Sequence, residues 1–573
     1  MKRHLTLACF LSMALGGLLP ESVYAADPYV GYIYPAAIAA GTTNRLVVGG
    51  QFFWKEMSAW VSGEGVEVLK VERVPGFPYP GGLQRKYLRK ALDALERGEP
   101  VPPLPEIPES EIWHSNVWWS ALGELDAKSR AIVAEDIWVQ KNALQAAPSL
   151  KQLLLVTLAV SPDAAPGCRQ LRVFRSDAVS APRPLDILPM PVVEEPLYAP
   201  PSRKCAAPQV LDRLPVAAVG QIKPGETDRW NLRLEKGTRF TAQVRGRFYQ
   251  PYIGDAVPGF FNPVVALKTA EGREVAFADD FNGMDPDPQL SVEIPETGDY
   301  VFEVSDRLFR GRADFVYTAK FTTDPLPTLS SATVLPLVKK FEVTEPGEWV
   351  FDVKARRLGS PMDPRLTLRA ADGTELGRWD DVTNRVQIGT VIQNELDPIV
   401  RYRFEKPGRY ELSVDDTCGR KGPELRCSIE VRPAHPAFDV FADRSAFFLT
   451  PGQRCPFTVS VVRREGFEGP VTLVENEWMS FENARVPAGT NAWRVVAIGK
   501  KVECDERMKT CEILAVAEVG EGVIGSKVVA ADPFEQAFAW QHLVSYGQFQ
   551  FFPRKAPQKI LNTEAQRRRG SRK

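Results

Sequence analysis

The chain has 573 residues, with 71 Lys and Arg against 72 Asp and Glu and a formal net charge of −1. That length is too great for one hydrophobic core and predicts about three to five domains. The balanced charge excludes a global field that would draw the chain to nucleic acid or to an anionic membrane. A charged fraction of 25% beside 44% aliphatic, aromatic and Cys residues fits folded soluble domains, and 48 prolines favour turns and sheet edges over helices.

In chain order, Lys2 and Arg3 precede an apolar stretch from Leu5 to Leu19, which Pro20 ends. Small residues follow at Val23-Tyr24-Ala25. This pattern predicts a signal peptide over 1–25 and an exported mature protein, bound for the periplasm, the cell surface or the extracellular medium. No later stretch reaches the length of a membrane-spanning helix; the run Leu153 to Val160 fits a buried strand. Residues 28–74 carry Pro35 and Gly41, then the strand run Arg45 to Val48 before Gly49-Gly50, and 163–187 would supply closing strands. Between them, about 83–150 has helical spacing at Tyr87, Ala91 and Leu95, and again at Trp113, Val117, Ala121, Leu122 and Leu125. The prolines from Pro100 to Pro108 separate the two runs. Eight prolines between Pro182 and Pro208 predict an extended linker over 189–208.

An internal repeat follows. KGTRFTAQVRGR (236–247) matches PGEWVFDVKARR (346–357), each alternating apolar and polar residues as a half-buried strand does. NPVVALKTAEGREVAFADDF (262–281) matches DPRLTLRAADGTELGRWDDV (363–382), with equal spacing from Pro to Gly to Asp, so one hairpin is built twice. ETGDYVFEVSD (296–306) matches KPGRYELSVDD (406–416). Beyond the repeat, FTVSVV (457–462) and PVTLVE (470–475) alternate, and short strand runs continue to Phe552. The tail 554–573 has eight basic residues and one acidic, which predicts disorder.

The repeated residues resemble the bacterial pre-peptidase C-terminal domain family, an all-β jelly-roll-like sandwich. The resemblance rests on the aromatic-rich strand ending in ArgArg or ArgGlyArg, the hairpin with its Gly turn and paired Asp, and the Gly-x-Tyr strand. It implies two copies, over 209–323 and 329–433. The first copy departs from the pattern with an inserted loop from Phe248 to Phe261. Residues 26–188 resemble an IPT/TIG-type sandwich, and 436–553 an immunoglobulin-like one. The expected fold class is therefore mainly β, with tandem jelly-roll-like and immunoglobulin-like β-sandwiches and one α-helical insertion in the N-terminal module. The resemblance implies a non-catalytic appendage of the kind found beside secreted peptidases.

Several residues are candidates for chemistry. Asp279, Asp280, Asn282, Asp285 and Asp287 offer hard oxygen ligands for calcium within one turn. The competing reading is a solvated turn with Asx caps, and the second repeat offers only Asp380, Asp381 and Asn384 nearby. Trp113, Trp118 and Trp119, beside His114, could form a platform for sugar rings or a partner, or else pack at a domain junction. Tyr249 and Tyr252, with Phe260 and Phe261, are loop aromatics that would either anchor a partner or fold back onto the sandwich. Cys418 with Cys427 and Cys504 with Cys511 flank turns and are expected as disulfides. Cys168 with Cys205 is a weaker pairing, and Cys455 is left over. Without a CxxC pair, and with four His in all, the sequence argues against zinc. His114, His435 and His542 fall in three regions, so no nucleophilic triad emerges. GEGVIG (520–525) reads as a hairpin turn, since strand-like residues follow it where a dinucleotide motif needs a helix. Arg567, Arg568 and Arg569 could dock on anionic envelope polymers. The expected function is an exported, non-catalytic, multidomain binding or structural protein contacting a polysaccharide, a protein or the cell envelope. The alternatives are an accessory protein to a secreted peptidase and a calcium-dependent hydrolase.

Overall fold

The computed structural model describes residues 27–54, 56–74, 82–103, 130–131, 134, 147–195, 209–253, 259–280, 286–326, 333–334, 337–388, 391–422, 425–501, 508–535, 541–546 and 548–553. Segment 1–25, Trp113, His114, Trp118, Trp119, Cys205, Asn282, Asp285, Cys504 and the tail with Arg567, Arg568 and Arg569 lie outside these residues.

The first sandwich pairs a four-stranded sheet with a five-stranded one, in which the short strand Ala178–Val179 pairs with Gly167–Arg175. One runs Tyr29–Tyr34, Thr43–Gln51, Gln152–Val160, Val66–Val74. The other runs Ala37–Ala39, Arg183–Leu188, Gly167–Arg175, Ser58–Val61. Along Gln152–Val160, Leu154, Val156, Leu158 and Val160 enter the core between the sheets. Leu155 turns to the opposite face, where it meets Tyr32, Val47 and the helix Gly82–Glu96 through Tyr87, Leu88, Ala91 and Leu92. This strand is covered on both faces, which is why its sequence reads as an unbroken apolar run. The helix comes from the expected insertion, and its four inward residues recur at helical spacing.

The second and third sandwiches share one topology. In the second, one sheet runs Val192–Glu194, Val216–Gln221, Val316–Thr322, Arg239–Arg245, Gln289–Glu293. Its other sheet runs Gln209–Leu211, Thr227–Leu234, Gly298–Asp306, Pro263–Thr269, Glu274–Ala278. In the third, Thr333–Val334, Arg426–Pro433, Gly347–Lys354, Ile399–Phe404 face Leu337–Val343, Gly408–Asp416, Pro364–Ala370, Glu375–Trp379. Registers correspond: Pro263 pairs with Asp306, and Pro364 with Asp416. Both hairpins shift register at one place, between Leu267 and Lys268 and between Leu368 and Arg369. The second sandwich adds two parallel edge strands. One of them, Val192–Glu194, pairs with Val216–Gln221, so the expected linker 189–208 begins inside a sheet. The third adds the hairpin Val382–Ile388 with Val391–Glu395.

The last sandwich sets a large sheet against a three-stranded one, Ala446–Leu449, Phe549–Pro553, Lys509–Cys511. The large sheet includes Ala437–Ala442, Arg454–Arg464, Ala492–Gly499 and the long strand Gly522–Glu535. Phe438, Phe447, Phe457, Phe549 and Phe551 fill its core. Val519 pairs with Gly522 across a two-residue turn in which Gly520 has φ 58°, so GEGVIG is a hairpin turn, with Gly at the left-handed position.

The sandwiches pack on one another. In Gly167–Arg175, Leu171 and Val173 face their own core. Arg172 and Phe174 face outward and meet the last sandwich. Arg172, 0% exposed, donates to Ser445 Oγ at 3.3 Å. The Phe174 ring lies 5.2 Å from Phe552, which stacks on Phe448 at 4.2 Å. The first and last modules therefore touch, and the chain closes on itself. At the join of third and fourth modules, Arg432 donates both terminal nitrogens to Glu465, which also accepts from the His435 backbone N–H at 2.8 Å.

Candidate functional site

Two carboxylates recur in the twin modules, and one of them is a candidate calcium ligand. Asp287, 5% exposed, accepts backbone N–H groups from Gly246, Arg247 and Phe248 at 2.8, 2.6 and 2.9 Å. Asp397 accepts those of Ala355, Arg356 and Arg357 at 3.1, 2.9 and 3.0 Å. Each caps a short 3-10 turn, Arg247–Tyr249 or Arg356–Leu358. Asp279 accepts Arg307 at 2.7 Å, and Asp280 lies 3.9 Å from the same guanidinium. Asp287 is thus taken up by backbone donors, and one oxygen of Asp279 by Arg307. Among the described residues no group of three or more His, Cys, Asp or Glu is placed to hold a metal.

The second recurring carboxylate escaped the sequence reading. Asp306 accepts from the backbones of Asn262, Leu308 and Arg310 and from two guanidinium nitrogens of Arg310. Asp416 repeats this with Asp363, Cys418 and Arg420. The Arg420 guanidinium and the converging N–H groups hold the Asp416 carboxyl down at about 2, and Asp306 is lowered too. The signal was present in the sequence, since Arg stands four residues after Asp in both repeats.

The loop aromatics of the first repeat fold back and anchor the neighbouring module. Tyr249 and Tyr252 are both buried. The Tyr249 hydroxyl donates to Asp186 at 2.6 Å and lies 3.1 Å from Thr318 Oγ1; Asp186 also takes Arg245 at 2.9 Å. Arg183, buried in the first sandwich, donates to the Val30 carbonyl at 2.7 Å and the Tyr249 carbonyl at 3.3 Å. Its guanidinium lies 3.8 Å from the centre of the Tyr252 ring. A cation and a carboxylate of the first module are thereby satisfied by groups of the second.

A second polar group sits at the same joint. Trp230 donates to the Tyr317 hydroxyl at 2.8 Å, which donates to Asp228 at 2.7 Å. Burial, with Glu226 nearby, pushes the Asp228 carboxyl up to about 6. Burial beside Asp228 drives Glu195 well above the carboxylate range, and Tyr34 of the first module is raised by the same surroundings. The two acids resist ionising together.

The expected bridge between Cys418 and Cys427 is not formed; both stand as free thiols. Cys427 lies opposite Thr333 in its strand and points into the core, where burial pushes its thiol up to about 12. Cys418 sits in the exposed turn organised by Asp416. Cys511 is buried, Cys168 exposed and Cys455 half-buried, each a free thiol; the expected partners of Cys511 and Cys168, Cys504 and Cys205, lie outside the described residues. His435 is exposed at the junction before the last module.

Among the large apolar side chains left outward are several aromatics. Trp54 is 51% and Phe52 39% exposed, and Leu308 and Phe309 are 68% and 62% exposed. Phe52 and Phe309 hold φ of 61° and 54°, a region that costs a bulky residue strain. The second repeat places Gly419, φ 70°, where the first has Phe309.

No family model matches the chain, and no curated protein matches it. Among solved structures it is similar to the fibronectin(III)-like modules of CbhA from Clostridium thermocellum. That match has 12% identity and a TM-score of 0.11, over 36% of this chain and 98% of that one. A TM-score so low carries no argument about fold or function.

Proposed function

We propose that the chain is an exported, non-catalytic binding scaffold in which the twin modules are two copies of the pre-peptidase C-terminal type. The observation that carries the reading is the closure of the modules through buried polar contacts. Arg183, Asp186 and Tyr249 lock the first to the second, and Arg172 with Phe174 and Phe552 joins the first to the last. Contacts of this kind hold loops at fixed positions, and the loops so held carry exposed aromatics, the residue types that anchor ligands. The repeated carboxylate caps support treating the twins as one domain type.

The test is retention of the whole chain on murein sacculi, outer-membrane vesicles and soluble periplasmic protein, together with a hydrolase screen. Saturable retention without turnover supports the scaffold. Co-purification of a peptidase with no glycan retention favours the accessory role. Turnover abolished by Asp280→Ala would replace both with a calcium-dependent hydrolase.

A further inference from the structure

We infer that Trp54 and the charged groups around it form a polysaccharide-binding platform at the seam between the first and last modules; this rests on the binding reading above. Trp54 follows Phe53, which is buried in the first core and whose N–H donates to Gln152 Oε1 at 2.6 Å. That anchor fixes the backbone, so the exposed side chains on either side, Phe52 and Trp54, are displayed from a rigid base. The Arg175 guanidinium lies 4.8 Å from the centre of the Trp54 ring. Arg175 in turn donates Nε to Asp177 Oδ1 at 2.5 Å. Phe174, the residue before Arg175, lies 5.2 Å from Phe552 of the last module, which sets this group beside the seam.

The chemistry fits a sugar ring. A pyranose has one face of C–H bonds, which packs on an indole, and a rim of hydroxyls, each both donor and acceptor. Here a half-exposed indole has the Arg175 guanidinium against it, and the carboxylate paired with that guanidinium, Asp177, is 56% exposed and offers acceptor oxygens. Opposite charges stand side by side, which suits a neutral glycan better than a polyanion. Phe52, beside it, is 39% exposed and held at φ 61°, a backbone region that costs a bulky residue strain.

The experiment is affinity electrophoresis of the full chain through gels containing soluble β-glucan, galactomannan or xylan, with sedimentation on chitin and on murein sacculi. One or more glycans should retain the wild type. Trp54→Ala should weaken that retention at least about tenfold and Trp54→Tyr less than about threefold, with Asp177→Asn intermediate. Thermal unfolding alike in all four proteins shows that the fold is kept, as expected for an exposed side chain. If a glycan retains wild type and Trp54→Ala equally, the platform is wrong and the binding scaffold stands. If no glycan is retained while an envelope protein is, the platform again fails alone. If nothing in the envelope fractions is retained, both readings fall.

Discussion

Asp416→Asn tests whether the repeated carboxylates are what hold the twin sandwiches shut. The ordinary value for the side chain is 3.8, and the fold holds it at about 2. At roughly 1.4 kcal/mol per pKa unit, the charged form contributes about 2 kcal/mol to the folded state. Asparagine keeps the shape and one acceptor oxygen but sets an amide N–H₂ against donors from Arg420 and the backbone, so most of that contribution should go. The depressed value means the stabilisation is complete above about pH 4 and is lost as pH falls through about 2. Calorimetric unfolding of the whole chain should show one transition of the variant displaced at pH 7 by about 2 kcal/mol. The gap to wild type should stay level down to about pH 5 and close toward pH 2. Asp306→Asn, with the same wiring one module earlier, should displace a different transition. A gap at pH 7 below about 0.5 kcal/mol, or one that persists unchanged at pH 2, would refute the reasoning.

Four further outcomes follow from the same contacts. Tyr249→Phe removes a donor from buried Asp186 and should cost about 2 kcal/mol, read as faster hydrogen exchange on both sides of the first joint while the last module is unchanged. The raised Asp228 carboxyl favours the fold when protonated, so melting of the first two modules should fall as pH rises from about 4 through about 6. Asp228→Asn should flatten that slope, and a melting point rising across the window would contradict the assignment. Gly419→Ala should destabilise by about 1 kcal/mol in thermal unfolding because it puts a Cβ on a left-handed backbone, whereas Phe309→Gly should not lower the melting point. Because Asp279, Asp280 and Asp287 already face Arg307 and backbone donors, adding or chelating calcium should leave the melting temperature within about 1 °C, against the several degrees expected of a stabilising ion.

The sandwich strands were legible because their periods are simple. Alternation marks one wet face, as in Gly347–Lys354, and an unbroken apolar run marks a strand covered twice, as in Gln152–Val160. The joints were not legible, because the residues that make them look like surface chemistry. Arg172, Arg183 and Asp186 are charged residues in strands, and only the arrival of another module turns each inward. Tyr249 and Tyr252 read as anchors for a partner, and their partner proved to be the neighbouring module. Asp287 read as one ligand among five because proximity in sequence hides direction. Its carboxylate takes the backbone N–H groups that open the 3-10 turn Arg247–Tyr249. Phe52 and Phe309 gave no periodic signal, since each sits at a turn where φ is positive.

The two repeats differ most where they meet their neighbours, and this says what the duplication is for. The first carries extra residues between Phe248 and Phe261, and from that loop Tyr249 and Tyr252 grip the first sandwich. The second has no such loop. Its own addition, the hairpin Val382–Ile388 with Val391–Glu395, lies against Arg454–Arg464 and Gln541–Tyr546 of the last sandwich. Each copy keeps the paired carboxylate caps, which its own fold requires, and uses its private insertion to hold the flanking module. With the first sandwich also resting on the last, one module type, fitted with two different insertions, holds the flanking module at either end. An open string would need no such insertions. Their placement at opposite ends of the twin pair is what closure demands.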